Sequence, residues 1–150
     1  MIVREATYAD IPHGLAIGAL NHAESVWRER PYDPEKLEMT ARQAIDDPEW
    51  LALVATLDNG QVVGYMLAFL TEYFFNREKQ SCDLLIFVAP QHRGSRAAIR
   101  LIRAYKAWAK SKGAKEAVLG LRIGSNVERT GRFYRKLGFH QEVPIYVTRF

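Results

Sequence analysis

Val88-Ala89-Pro90-Gln91-His92-Arg93-Gly94-Ser95-Arg96 is the stretch on which the reading of this chain turns. Before it, Ser81 to Val88 is an apolar run of strand length, closed by Ala89-Pro90 because proline has no amide with which to extend a ladder. After it, Ala98, Leu101, Ile102, Tyr105, Trp108 and Ala109 recur at helical spacing, and the helix ends near Lys112-Gly113, where glycine supplies a left-handed cap. Ala117 to Leu121 reads as a second buried strand, so strand, helix and strand make a βαβ unit with parallel strands.

Upstream, Ile2 to Ala6 is a short opening strand, and Thr7 or Asp10 can cap a helix through Ile11, Leu15 and Leu20. Asp33-Pro34-Glu35 starts a second helix, with a carboxylate at the N-cap and proline in the first turn, and Asp47-Pro48 stops it. Trp50 to Leu57 and Gln61 to about Phe75 are strands joined by Asp58-Asn59-Gly60, residues able to take the positive φ of a tight hairpin. Downstream, a helix from Val127 to Leu137 ends at Gly138, and Ile145 to Phe150 can add a last strand. The order predicts an α/β (α+β) protein, one domain over residues 1–150, with a mixed sheet and helices on both faces.

Composition narrows the class. The 48% hydrophobic and 25% charged fractions are those of a globular domain, and no stretch approaches the roughly 20 apolar residues that span a bilayer. Cys82 has no second cysteine to pair with, and Met1-Ile2-Val3-Arg4-Glu5 lacks a signal-peptide layout, so a reducing cytoplasm is the expected setting. His13, His22, His92 and His140 show no ligand spacing, and no metal is expected. Cys82 and His92 sit too far apart along one strand and loop to form a nucleophilic pair.

The net charge of +4 favours an anionic partner. From Gln91 to Lys115 there is no acid, and a second basic cluster runs through Arg129, Arg132, Arg135 and Lys136. Both can be solvated helix faces or an anion site. At the start of the long helix, unpaired amides and the macrodipole make a phosphate site, Gly94 permits close approach, and Arg93, Ser95 and Arg96 add charge and donors. The loop has neither the Walker pattern nor the dinucleotide fingerprint. Viewed alone, it is equally an ordinary capped helix start.

Gln91-His92-Arg93-Gly94-Ser95-Arg96, behind a strand ending Val-x-Pro, resembles the pyrophosphate loop of the GNAT superfamily of acyl-coenzyme A-dependent N-acyltransferases, written Q/R-x-x-G-x-G/A. Arg96 departs from that pattern, standing where Gly or Ala is usual, so its side chain must turn away or reach the phosphates itself. Thr130-Gly131-Arg132-Phe133-Tyr134-Arg135-Lys136-Leu137-Gly138-Phe139 resembles the second signature, N-x-x-A-x-x-x-Y-x-x-x-G-F, at Tyr134, Gly138 and Phe139. Asn126 lies eight residues before the tyrosine where seven is usual.

The resemblance implies a mostly antiparallel central sheet with a splayed parallel strand pair. It implies acetyl-coenzyme A as co-substrate, with the amides of Arg93, Gly94, Ser95, Arg96 and Ala97 around the pyrophosphate and the backbone at Phe87 and Val88 along the pantetheine. Gln91, Asn126, Arg132 and Phe133 are further coenzyme contacts on this reading. Tyr134, one step around the helix from a Phe133 and Leu137 core face, would point into the cleft and give a proton to the departing thiolate. Asp83 and Glu72, on or beside the central strands, are candidate bases, with water as the other route. The acceptor would be a small-molecule or peptide amine, in a pocket shaped by the helices between Ile11 and Asp47 with Trp27, Tyr32 and Trp50. A homodimer is compatible; a membrane or nucleic-acid partner is not expected. Two rivals are a coenzyme-binding module without catalysis and a basic nucleic-acid-binding domain.

Overall fold

A computed structural model of the chain describes residues 1–121, 127–142 and 146–150. Five strands, β1 (Ile2–Glu5), β2 (Trp50–Thr56), β3 (Val62–Glu72), β4 (Lys79–Val88) and β5 (Ala117–Val118), lie side by side in chain order. The first four are antiparallel, and β5 joins β4 in parallel. Helices α1 (Ile11–Glu24) and α2 (Pro34–Asp46) precede β2, α3 (Ala97–Ser111) links β4 to β5, and α4 (Val127–Lys136) follows. The expected mixed, mostly antiparallel sheet with one parallel pair is what the chain forms.

The strands β2 and β3 are buried at nearly every position because both faces of the sheet are covered. On one face Leu101 and Tyr105 of α3 pack on Leu53, Met66 and Ala68. On the other, Ile17 of α1 meets Val54, Tyr65 and Phe87, and Ala44 of α2 meets Ala52 and Leu67. Full burial of one such aliphatic side chain stabilises by about 1.5–3 kcal/mol.

Helix α2 starts as read: Asp33 Oδ1 accepts the Lys36 N–H at 3.0 Å and Pro34 fills the first turn. At α1 the outcome differs. Asp10 stands at the N-cap, but its carboxylate turns back to the Thr7 N–H (2.8 Å) and hydroxyl (2.9 Å) and takes two bonds from Arg4, each 2.8 Å. The carboxylate thus ties β1 to the start of α1.

Four boundaries move. In the β2–β3 hairpin only Gly60 has positive φ (+85°); Asn59 contributes its side chain instead, Oδ1 accepting the Gln61 N–H at 3.0 Å. Strand β3 stops at Glu72, because residues 73–78 close a turn in which the Tyr73 N–H reaches the Glu78 oxygen (3.1 Å). Phe74 and Phe75 are therefore exposed turn residues and not strand. Strand β5 ends at Val118 and not at Leu121. Of the expected final strand, Ile145 lies outside the described residues, and residues 146–150 belong to no strand.

The Arg4 guanidinium, outweighing the opposing effect of burial, lowers the Asp10 carboxyl from the ordinary 3.8 to about 2. A lowered folded pKa stabilises fully above 3.8 and the gain disappears as pH falls through about 2. Asp10→Asn is therefore expected to reduce the urea midpoint at neutral pH, with the gap from the parent narrowing as acid titrates the parent's carboxylate. A gap constant across that range in urea melts would show the charge contributes nothing.

Candidate active site

The site begins where β4 and β5 part. They pair only at Ser81 with Ala117 and Cys82 with Val118. On the other side of β4, Leu67 pairs with Leu85 but Ala68 with Asp83, so Leu84 is an extra residue, a bulge. The bulge changes which face each side chain takes. Asp83 shares the α3 face with its partner Ala68, while Leu85 and Phe87 pack against the α1 side.

Beyond Val118 the Gly120 N–H donates to Asp83 Oδ1 at 2.8 Å. From α3, the fully buried Tyr105 places its hydroxyl 2.9 Å from both the Ser81 and Val118 carbonyl oxygens, bracing the last paired residues. The Ala89 N–H donates to Val63 on β3 (2.9 Å), so strand alternation sends the Val88 and Ile86 N–H and C=O groups to the edge that β5 has left. That edge lies along the gap.

At the top of β4, Pro90–His92 form a single 3-10 turn, and Gly94 follows with φ of +83°. No heavy atom lies within 4 Å of the position its Cβ would take, which leaves the space beside it open. Of the five amides expected around a phosphate, those of Arg93, Ser95 and Ala97 already donate within the loop, to Pro90 (3.2 Å), His92 (3.3 Å) and Ser95 Oγ (3.3 Å). Among the described residues, the amides of Gly94 and Arg96 have no acceptor, and neither have those of Ala98 and Ile99 in the first turn of α3. The open donor set is thus shifted into the helix.

The two arginines of the loop differ. Arg93 turns back: its guanidinium donates to Glu24 Oε2 of α1 (2.5 Å) and to the Val88 oxygen (3.3 Å), and lies 5.3 Å from the Phe87 ring centre. Arg96 is exposed and lines a groove of about 320 Å3 with Ile99, Arg100 and Arg103. Gln91 is exposed and Ser95 half-buried.

Tyr134 is more buried than the helix face predicts. It is 9% exposed, while Phe133 and Leu137, read as the core face, are half-buried. Its ring packs 5.9 Å from that of Phe133 and 6.1 Å from that of Phe139. Lys106 of α3 fastens this end of α4, donating to the Leu137 oxygen (2.9 Å) and sitting 5.2 Å from the Phe139 ring centre. Burial, and secondarily the charge of Asp83, push the phenol well above its ordinary pKa, so it stays protonated and lies within electrostatic reach of Asp83.

The remaining candidates scatter. Glu72 is exposed and pairs with Lys79, four residues along β4 from Asp83, roughly 13 Å at strand rise. Arg132 is exposed and bonded to Glu128 at 2.6 Å. Asn126 lies outside the described residues. Cys82 is half-buried, and burial pushes its thiol up, away from thiolate chemistry. Sequence reasoning placed Tyr105 on the helix's apolar stripe but gave its hydroxyl no role, and nothing in the residue pattern marks the Leu84 bulge or the Gly120 donor.

A model of the acetyltransferase (GNAT) family matches residues 18–139. The chain belongs to that family. Among proteins with curated functions none matches it in sequence. Solved structures resemble it throughout. Glucosamine-6-phosphate N-acetyltransferase from Arabidopsis thaliana superposes with a TM-score of 0.77 at 16% identity, covering 99% of this chain and 97% of that one. An aminoglycoside antibiotic 6'-N-acetyltransferase from Acinetobacter baumannii gives 0.77 at 21% identity, with 99% and 97% covered. The ribosomal-protein-alanine N-acetyltransferase of Brucella melitensis biovar Abortus 2308 gives 0.71 at 21% identity over 100% of both. At these identities the likeness is one of fold.

The burial of Tyr134 can be read directly. In an alkaline titration, the tyrosinate absorbance of the parent minus that of Tyr134→Phe is expected to stay flat through a pH of about 10, where a free phenol half-ionises. A step there would place the phenol in water.

Proposed function

We propose that this single domain transfers an acetyl group from acetyl-coenzyme A to a primary amine, by direct attack while both substrates are bound. One observation carries the reading: β4 and β5 part after Val118, between the unengaged amides of Gly94 and Arg96 at one end and the Asp83 and Tyr134 side chains at the other. The residues present fit the coenzyme. Open space beside Gly94 and the free amides of Gly94, Arg96, Ala98 and Ile99 suit a pyrophosphate, and a strand edge that turns the Ile86 groups and the Val88 N–H away from β3 suits the amide-bearing pantetheine.

When bound, the coenzyme supplies the activated thioester; the chain's own residues do the rest. The amides of Gly94, Arg96 and Ala98 hold the diphosphate, with Gln91, Ser95 and the Arg96 guanidinium alongside. The Val88 N–H, aimed into the gap, is placed to polarise the thioester carbonyl as negative charge builds on its oxygen. Tyr134, protonated throughout, donates a hydrogen bond to the sulfur as it departs. The attacking amine must be neutral and sheds its proton to water after the new C–N bond forms.

An amine acceptor is supported by the named activities of the three structural neighbours, which acetylate nitrogen on a sugar phosphate, an antibiotic and a protein. The lone, half-buried Cys82 suits a reducing cytoplasm, and the exposed Tyr146, Val147 and Phe150 suit a homodimer contact.

Tyr134→Phe is expected to lower kcat by about 10²-fold while the Kd for acetyl-coenzyme A changes by less than about twofold. Equal kcat in mutant and parent, measured on an amine panel, would discard the leaving-group role. Gly94→Glu places bulk and negative charge in the open space beside the free amides, and loss of coenzyme binding by calorimetry is expected. Undiminished affinity in that variant would mean the diphosphate sits elsewhere.

A further inference from the structure

The β4–β5 ladder does not fade; it is interrupted at one identifiable bond. Ser81 donates its N–H to the Glu116 oxygen at 2.9 Å, which sets the phase of the parallel pairing. In that phase the next regular bond runs from the Gly120 N–H to the main-chain oxygen of Asp83. The Gly120 N–H goes instead to the Asp83 side chain, at 2.8 Å.

We propose that Asp83 is a positioning residue for acyl transfer: by taking the Gly120 N–H on its carboxylate, it holds β5 off β4 and keeps open the gap beside Val88. This rests on the acetyltransferase reading above. The side-chain oxygen meets the Gly120 N–H at 2.8 Å, an ordinary length for such a bond, so it replaces the main-chain acceptor with no hydrogen bond lost. The Leu84 bulge supplies the matching change on β4, since it turns the strand just past Asp83 and aims Asp83 at the α3 face. Tyr105 fixes the other side of the junction, with its hydroxyl on the Ser81 and Val118 oxygens, so the opening starts at a braced point.

Asp83→Asn keeps an oxygen that can accept the same N–H but cannot act as a base; Asp83→Ala keeps neither. The expected result is that Asn retains kcat within about threefold, with the basic limb of the pH profile intact. For Ala, KM for acetyl-coenzyme A should rise by about tenfold or more, and NMR cross-strand contacts between β4 and β5 should appear beyond Val118. A kcat loss of about 10²-fold in Asn, with KM unchanged, would make Asp83 the base and overturn the proposal. So would an Ala variant indistinguishable from the parent in KM and cross-strand contacts. If the Ala variant does not fold, the Asn result decides alone. A parent that acetylates no amine removes the function reading and this inference with it, whereas an active parent with either adverse result removes only the inference.

Discussion

The structure depends on a sheet edge left unpaired in its interior. Backbone N–H and C=O groups that lose their ladder without gaining water or another partner cost about as much as a lost hydrogen bond each. At Ile86 and Val88 the ladder partner is missing, because β5 leaves after two paired positions, and of these groups the Val88 oxygen is met by the Arg93 side chain. Such an arrangement persists only if the surrounding contacts prevent closure. The contacts are specific: a bulge at Leu84, a carboxylate under Gly120, and a tyrosine hydroxyl from a fully buried position on α3. Leu101 and Tyr105 of α3 are fully buried in the core on the sheet, which holds that hydroxyl over the junction. An extended, amide-bearing ligand is the natural completion of the edge.

Much of the frame was legible in the residues. The βαβ unit, the Asp33-Pro34 helix start and the helix ends at Gly113 and Gly138 follow from periodicity and capping, which are local properties. What escaped is decided by tertiary pairing. Phe74 and Phe75 continue an apolar run, yet the Tyr73 to Glu78 turn bond ends the strand before them. Leu119 and Leu121 read as strand, but the ladder has already been cut at Asp83. Helical geometry alone ranked Phe133 and Leu137 inside Tyr134, whereas in the fold Tyr134 is the buried one, its ring packed on those of Phe133 and Phe139. The positions of the phosphate-loop residues were legible; which amides stay open was not, because three of them are consumed within the loop itself.

Charge in the loop is divided between two tasks. Arg93 is partly exposed, and a surface pair such as Arg93 with Glu24 contributes little by itself, typically under about 1 kcal/mol. Its value is geometric: one guanidinium touches α1, the last residue of β4 and the Phe87 ring, so the loop is registered against both the sheet and α1. Arg96 is left to face solvent. The departure from a small residue at position 96 leaves the space beside Gly94 open, and Arg96 shares a groove with Arg100 and Arg103 of α3.

The buried state of Tyr134 constrains how it can help a leaving thiolate in the proposed reaction. An alkyl thiol ionises near 8.5 and a free phenol near 10, so complete proton transfer from phenol to thiolate is already uphill by about 2 kcal/mol at 1.36 kcal/mol per unit. Burial and Asp83 raise the phenol further, which widens that gap. A full transfer is thus disfavoured, but a hydrogen bond is not: a phenol that cannot ionise is a donor at every working pH, and in a site shielded from water such a bond to developing charge is strengthened. Burial against the Phe133 and Phe139 rings is the first cause that keeps the donor loaded. Opening the gap is the part proposed for the Asp83 oxygen as an acceptor, and stabilising the departing sulfur that of the buried phenol; the two meet where one extra residue turns β4.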